Sequence, residues 1–166
     1  MRKLYLKQNI VGTKDKFTFY DAEQQEIYQG QQTSMSLPKR FGLVDCTDNK
    51  QVVELVASIF SMMPEFKLID LATKAEFGRI KKQFTLEKGK VRITTSQGKY
   101  IIDGDFLIRD FKILDQQQRE IISIHPVQVS WGEVSEVRIN TDLIVEHIAV
   151  GLILGIYCAH YSDNRY

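Results

Sequence analysis

The alternation of apolar and polar residues predicts a series of short β-strands along most of the chain. Four segments share Phe-x-x-x-Asp followed by a polar turn and a second apolar run, and they start at Phe17, Phe41, Phe66 and Phe111. Period-two alternation places each Phe and the residue two positions later on one face of a strand. The closing residues, Asp21, Asp45, Asp70 and Asp115, can accept hydrogen bonds from the backbone N–H groups just ahead and so start a turn. Each segment is therefore predicted to be a β-hairpin, with return strands beginning near Ile27, Val52, Phe77 and Ile121.

Two further strand pairs extend the predicted sheet. The first joins residues 90–95 to residues 99–102 around Ser96-Gln97-Gly98, and the second joins residues 127–131 to residues 134–139. Together with the four hairpins they give roughly ten to twelve strands of ordinary length. An antiparallel sheet of this size leaves two exposed edges unless it closes, and a closed barrel of this size has room for more than its own side chains.

The C-terminal segment has a different pattern. Residues 143–161 read LIVEHIAVGLILGIYCAHY, which is apolar nearly all the way round a helix, with Thr141 or Asp142 as the predicted cap. A helix without a polar face must be enclosed. The sequence therefore predicts a closed antiparallel β-barrel of about 12 strands around a hydrophobic C-terminal α-helix, in a single domain over residues 1–166.

The same segment raises the alternative of a C-terminal membrane anchor. Glu146 and His147 interrupt it, and the uninterrupted apolar part, residues 148–159, has the length of a buried helix rather than of a membrane span. Gly151 and Gly155 form a G-x-x-x-G pair, which fits helix dimerisation in a membrane or close packing against a surrounding wall. The buried helix is the favoured interpretation, and no integral membrane protein is expected.

The pattern as a whole resembles the LURP-one-related family. The resemblance is carried by the hairpins, by Ile102-x-Gly104-x-Phe106 leading to Phe111-x-Ile113-x-Asp115, and by the apolar helix. The resemblance implies the tubby C-terminal-like fold, a twelve-stranded barrel threaded by a hydrophobic helix. It also implies that the chain is a bacterial member of the family, whose function is unknown. Members of the family often have an Asp-x-Tyr segment in the strand before the helix. This chain departs from that pattern, because the corresponding region reads Gly132-Glu133-Val134. Tubby proteins bind phosphoinositides and phospholipid scramblases are similar in fold, but a fold alone does not carry a function.

The composition of the chain argues against several classes of function but does not identify one. The chain is 43% hydrophobic and 26% charged, with a net charge of +1, which is ordinary for a soluble globular protein. Near-neutral charge and few outward aromatic residues argue against a nucleic-acid partner. The N-terminus has no apolar stretch of signal-peptide length, so a cytoplasmic location, at most peripheral to the membrane, is expected. Phosphate-loop, nucleophile-elbow and cysteine–histidine metal spacings are missing from the sequence, so no cofactor or metal is expected.

The charges are distributed unevenly along the chain. Residues 74–92 hold seven Lys or Arg against two Glu, whereas residues 103–146 hold four Lys or Arg against nine Asp or Glu. Strand alternation turns Arg79 and Lys81 outward if Ile80 points inward. The candidate anion- or lipid-binding residues are Arg79, Lys81, Lys88, Lys90 and Arg92. A solvated barrel wall explains the same charges, so both interpretations stay open.

Two function classes follow from these patterns. The first is a non-enzymatic binding or scaffold module that docks anionic phospholipid headgroups or a protein through the barrel surface. The alternative is an enzyme of unknown class with a site at a barrel mouth, using Asp103, Asp105, His125 or His160. An enzyme needs at least two of these groups to converge in a water-accessible pocket. Their positions in the fold therefore discriminate between the two classes.

Overall fold

The computed structural model describes residues 1–11, 14–34, 36–83, 91–105 and 109–161. In this part of the chain it contains twelve β-strands and one α-helix. The strands are β1 Arg2–Val11, β2 Lys14–Tyr20, β3 Glu26–Ser34, β4 Arg40–Asp45, β5 Lys50–Ala57, β6 Glu65–Asp70, β7 Ala75–Lys82, β8 Val91–Thr95, β9 Gly98–Asp105, β10 Asp110–Leu114, β11 Glu120–Val129 and β12 Gly132–Ile139; the helix, α1, is Glu146–Tyr161.

The strands form one closed antiparallel barrel in chain order. Each strand pairs with its sequence neighbours, and β1 also pairs with β12, where Leu4 lies opposite Val137. Because the ring is closed, each of the described strands has a neighbouring strand on both sides. The predicted barrel of about 12 strands is confirmed.

The hairpin turns depend on the aspartates that the sequence singled out. The backbone N–H two residues ahead donates to the carboxylates of Asp21, Asp45, Asp70 and Asp115 at 2.9, 2.8, 3.2 and 2.9 Å. These four turns lie at the end of the barrel that the C-terminal helix enters, which we call the entrance end. The loops that join β3 to β4 and β5 to β6 lie at the opposite end, which we call the far end.

The helix lies inside the barrel and begins three residues later than predicted. Asn140 organises the preceding turn, because its carbonyl oxygen accepts the N–H groups of Leu143 and Ile144 at 3.0 and 3.2 Å. The first helical turn then closes from Ala149 N–H to the Val145 carbonyl at 3.0 Å. The prediction of a cap at Thr141 or Asp142 was therefore wrong. In the described chain, no helix combines the length and hydropathy needed to cross a bilayer.

Glycines allow the helix to approach the barrel wall closely. A Cβ atom on Gly155 would lie 2.5 Å from Ile80 Cδ1, and one on Gly151 would lie 3.1 Å from Val53 Cγ1. On the wall itself, a Cβ atom on Gly30 would lie 2.7 Å from Leu154. The G-x-x-x-G pair therefore packs against β5 and β7 of the same molecule.

Candidate functional site: a basic wall on the barrel

Five cations lie on the outer face of four neighbouring strands, β6 to β9. Their positions follow from two rows of the sheet register. One row runs from Lys67 to Arg79, Thr94 and Lys99, and the other from Glu65 to Lys81 and Arg92. We call the set Lys67, Arg79, Lys81, Arg92 and Lys99 the basic wall.

Alternation along the strands sets the direction of these side chains. Ile80 and Ile93 are fully buried in the core, so Arg79, Lys81 and Arg92, one position away, face outward and are exposed. Lys81 lies directly opposite Arg92 across the β7–β8 pair. The structure thus brings together three of the five residues predicted as an anion site. Lys88 and Lys90 lie outside the described residues.

Two carboxylates partly offset this charge. Glu65 lies 3.7 Å from Arg79 Nη1 and 3.9 Å from Lys81 Nζ, and Glu76 pairs with Arg79 Nε. The hydrogen bond and the charge of Glu76 raise the pKa of the Arg79 guanidinium, so this group stays charged. Arg92 instead meets the neutral side chain of Gln83, whose amide oxygen, suitably oriented, accepts from Nε and Nη2 at 2.8 Å. Five cations against two carboxylates leave the wall positive.

Lys67 and Lys99 were not among the predicted site residues. Lys67 alternates with the buried Phe66 and Leu68, so its outward direction is readable from the sequence. Its proximity to Arg79 is not readable in that way, because it depends on the register between β6 and β7. Lys99 joins the same row only through the register between β8 and β9.

The outer face changes character after Lys99. Asp103 on the second half of β9 is followed by Asp110, Glu120 and Glu136 on β10 to β12, and these three strands also carry the cations Lys112 and Arg138. Lys112 Nζ lies 2.8 Å from Glu120 Oε2, and this hydrogen bond lowers the pKa of the Glu120 carboxyl. The acidic segment predicted from the sequence therefore lies beside the basic wall rather than over it.

A cavity of about 350 Å³ opens at the entrance end. Phe77, Tyr100 and Ile148 form its apolar side, and Asp70 and Asp142 lie among its polar lining. Asp70 Oδ1 is 3.3 Å from His147 Nε2, so this carboxylate is already engaged with the first turn of the helix. None of the four residues proposed for an enzyme site lines this cavity.

The chain matches known proteins along nearly its whole length. The sequence profile of the LURP-one-related family covers residues 2–154. The chain belongs to the LURP-one-related family. It is 27% identical to the uncharacterized protein YxjI of Bacillus subtilis (strain 168) in an alignment of 161 residues that covers 95% of each protein. An X-ray structure of an Arabidopsis thaliana protein superposes with a TM-score of 0.64 at 11% identity, over 98% of this chain and 92% of that one, a likeness that shows the fold alone.

The residues named for the alternative enzyme site of this LURP-one-related protein lie on three elements, β9, β11 and α1. Asp105 lies opposite Asp110, which contacts His125 Nδ1 on the outer face at the far end. Asp103 is exposed and lies across from Lys112, and His160 is in the last turn of the helix. Asp105 and His125 are therefore linked through Asp110 at one exposed edge of the barrel, whereas His160 belongs to the helix inside it. The described residues hold no group of three or more His, Cys, Asp or Glu side chains suited to a metal ion.

Proposed function

We propose that this LURP-one-related protein is a non-enzymatic binding module that docks on anionic phospholipid headgroups through its basic wall. The observation that carries the proposal is the direct pairing of Lys81 with Arg92 beside the row of Lys67, Arg79 and Lys99. Like charges that lie opposite each other in a sheet destabilise it, so an anion that bridges them offsets a repulsion.

The dimensions of the wall favour a lipid surface over a single small anion. Four strands at about 4.8 Å spacing place the outer cations across about 14 Å, a width that spreads them over more than one headgroup. Each Lys or Arg close to an anionic membrane surface contributes about 1 kcal/mol of attraction. Several such contributions suffice for reversible peripheral binding of a protein whose net charge is only +1.

The proposal is tested by reversing the charges of Lys81 and Arg92, the cross-strand pair of the basic wall. We expect Lys81→Glu with Arg92→Glu to weaken sedimentation with phosphatidylserine-containing phosphatidylcholine vesicles by about thirtyfold or more, since removing two cations costs about 2 kcal/mol. Binding of the unaltered protein should also weaken as salt is raised, because exposed charges are screened. Vesicles of pure phosphatidylcholine should bind neither protein.

The barrel offers a matched control on a distant wall. Lys3 and Arg138 form an equivalent cross-strand pair between β1 and β12, and both contact Glu136 much as Lys81 contacts Glu65. Lys3→Glu with Arg138→Glu makes the same change in net charge. We expect this variant to keep most of the vesicle binding. If both double variants lost vesicle binding equally, net charge and not the basic wall would explain the binding. If neither variant lost vesicle binding, the proposal would be rejected.

A further inference from the structure

A group of large apolar side chains is exposed at the far end of the barrel. In the loop between β5 and β6, Ile59, Phe60 and Met62 are 57%, 93% and 100% exposed, and Leu37 in the neighbouring β3–β4 loop is 77% exposed. We call these four residues the apolar tip. Isolated exposed apolar residues are common, but a cluster of this kind marks a surface that contacts another apolar phase.

Backbone hydrogen bonds place the base of the β5–β6 loop beside the basic wall. Ser58 N–H donates to the Glu65 carbonyl at 2.9 Å and closes the base of the β5–β6 loop. Lys82 N–H donates to the Pro64 carbonyl, also at 2.9 Å, which ties this base to the end of β7. Lys81 of the basic wall is the preceding residue. The base of the β5–β6 loop therefore lies next to the end of β7, so the apolar side chains of this loop and the outward cations share one corner of the barrel.

We propose that the apolar tip inserts into the boundary between lipid headgroups and acyl chains while the basic wall meets the headgroups. This inference rests on the proposed function and adds the orientation of the molecule to it. Protein surfaces that lie in a membrane interface combine exposed aromatic and aliphatic residues with flanking Lys and Arg. Transfer of the apolar residues out of water is favourable, and the Lys and Arg residues are attracted to the anionic headgroups. Phe60 and Met62 beside Lys81 and Arg92 have this composition.

The charges favour a membrane over a second copy of the chain as the occupant. Two copies joined tip to tip would bring the cations beside each tip close to those of the other copy. An anionic bilayer instead supplies an apolar interior and a surface of opposite charge. The apolar tip is therefore assigned to the lipid.

Depth-sensitive fluorescence tests the insertion directly. The chain has one tryptophan, Trp131, so Trp131→Phe with Phe60→Trp leaves a single reporter in the apolar tip. On phosphatidylserine-containing vesicles we expect a blue shift of its emission and quenching by bromine atoms on the lipid acyl chains. The matched control is Trp131→Phe with Val145→Trp, because Val145 is 60% exposed at the entrance end. We expect no shift and no quenching there.

A second variant separates this inference from the proposed function. Phe60→Ser with Met62→Ser should weaken vesicle binding by about tenfold or more, and the remainder should be abolished by high salt. If binding still depends on Lys81 and Arg92 but the reporter at position 60 is not quenched, the insertion is rejected and the headgroup docking stands. If the reporter is quenched and charge reversal changes nothing, the headgroup docking is rejected instead. A dimer in solution that Phe60→Ser with Met62→Ser dissociates would assign the apolar tip to a second copy and overturn the inference.

Discussion

A single carboxylate, that of Glu146, joins the start of the helix to two strands of the barrel. Tyr28 Oη donates a hydrogen bond to Glu146 Oε1 at 3.2 Å, and Arg2 Nε lies 3.3 Å from Glu146 Oε2. An acidic residue in the first turn also interacts favourably with the positive end of the helix dipole. Together with the contact between His147 and Asp70, these contacts tie the start of the helix to β1, β3 and β6.

The phenol of Tyr28 reports on this arrangement. Burial, followed by the negative charge of Glu146, raises the pKa of Tyr28 above its ordinary value of 10.0. A raised pKa in the folded state means that the phenol contributes stability below pH 10, and that this contribution is lost as the pH rises through the raised pKa. Burial also raises the pKa of Tyr20, so we expect both tyrosines to contribute to a late step when phenolate absorbance is followed with pH, and Tyr28→Phe should reduce the amplitude of this step.

Two comparisons check the assignment of that step. Tyr28→Phe should also lower the free energy of unfolding at neutral pH by about 1 kcal/mol, the usual contribution of one hydrogen bond. Glu146→Gln should bring the pKa of Tyr28 down, because it removes a nearby negative charge. If Tyr28→Phe left the late step unchanged, the contact between Tyr28 and Glu146 would be absent in solution.

At the scale of the element, the helix is a rod whose small residues face the wall. Gly155 faces Ile80 and Leu68, and Gly151 faces Val53 and Phe77. Glycine inside a helix costs about 1 kcal/mol relative to alanine, so two glycines on one face need a compensating gain. The gain here is close packing against β5, β6 and β7.

The contact between Gly155 and Ile80 gives a prediction with an internal control. A methyl group at position 155 would lie 2.5 Å from Ile80 Cδ1, and overpacking of this kind costs about 1–3 kcal/mol, more than the helix propensity that alanine gains. We expect Gly155→Ala to lower the free energy of unfolding by about 1 kcal/mol in chemical denaturation. Ile80→Val removes the Cδ1 atom, so the double variant should lose at least about 0.5 kcal/mol less than the sum of the two single variants. Strictly additive losses would show that the two sites do not touch.

The elements were predictable from the sequence to different degrees. The hairpins were readable because the alternation of apolar residues and the closing aspartate agree, as they do at Phe66 and Asp70. The helix was readable because no polar face interrupts it after His147. The first residue of the helix was not predictable. The hydrophobic pattern of the helix already includes Leu143 and Ile144, but hydrogen bonds to the Asn140 carbonyl hold these two residues in a turn. Local backbone bonding outweighs hydrophobic pattern at such a boundary.

At the scale of the whole molecule, the barrel is asymmetric around its axis and from end to end. Outward cations gather on β6 to β9, while exposed apolar residues gather in two loops at the far end. Alternation alone predicted that Arg79 and Lys81 face outward, but only the register adds Lys67 and Lys99. The apolar tip was not predicted, because Phe60 and Met62 read equally well as buried residues until the fold shows that they lie in a loop.

The position of the helix inside the barrel predicts its behaviour at a membrane. Cys158 lies on the helix and is buried, whereas Cys46, the other cysteine of the chain, is partly exposed in a hairpin turn. In a Cys46→Ser variant, Cys158 is the single thiol. We expect a thiol reagent to modify it at least about a hundredfold more slowly than in denaturant, because modification requires the barrel to open. Phosphatidylserine-containing vesicles should leave this protection unchanged, since docking through the basic wall needs no movement of the helix. Rapid modification that appears only with vesicles would show instead that the helix leaves the barrel and acts as a membrane anchor.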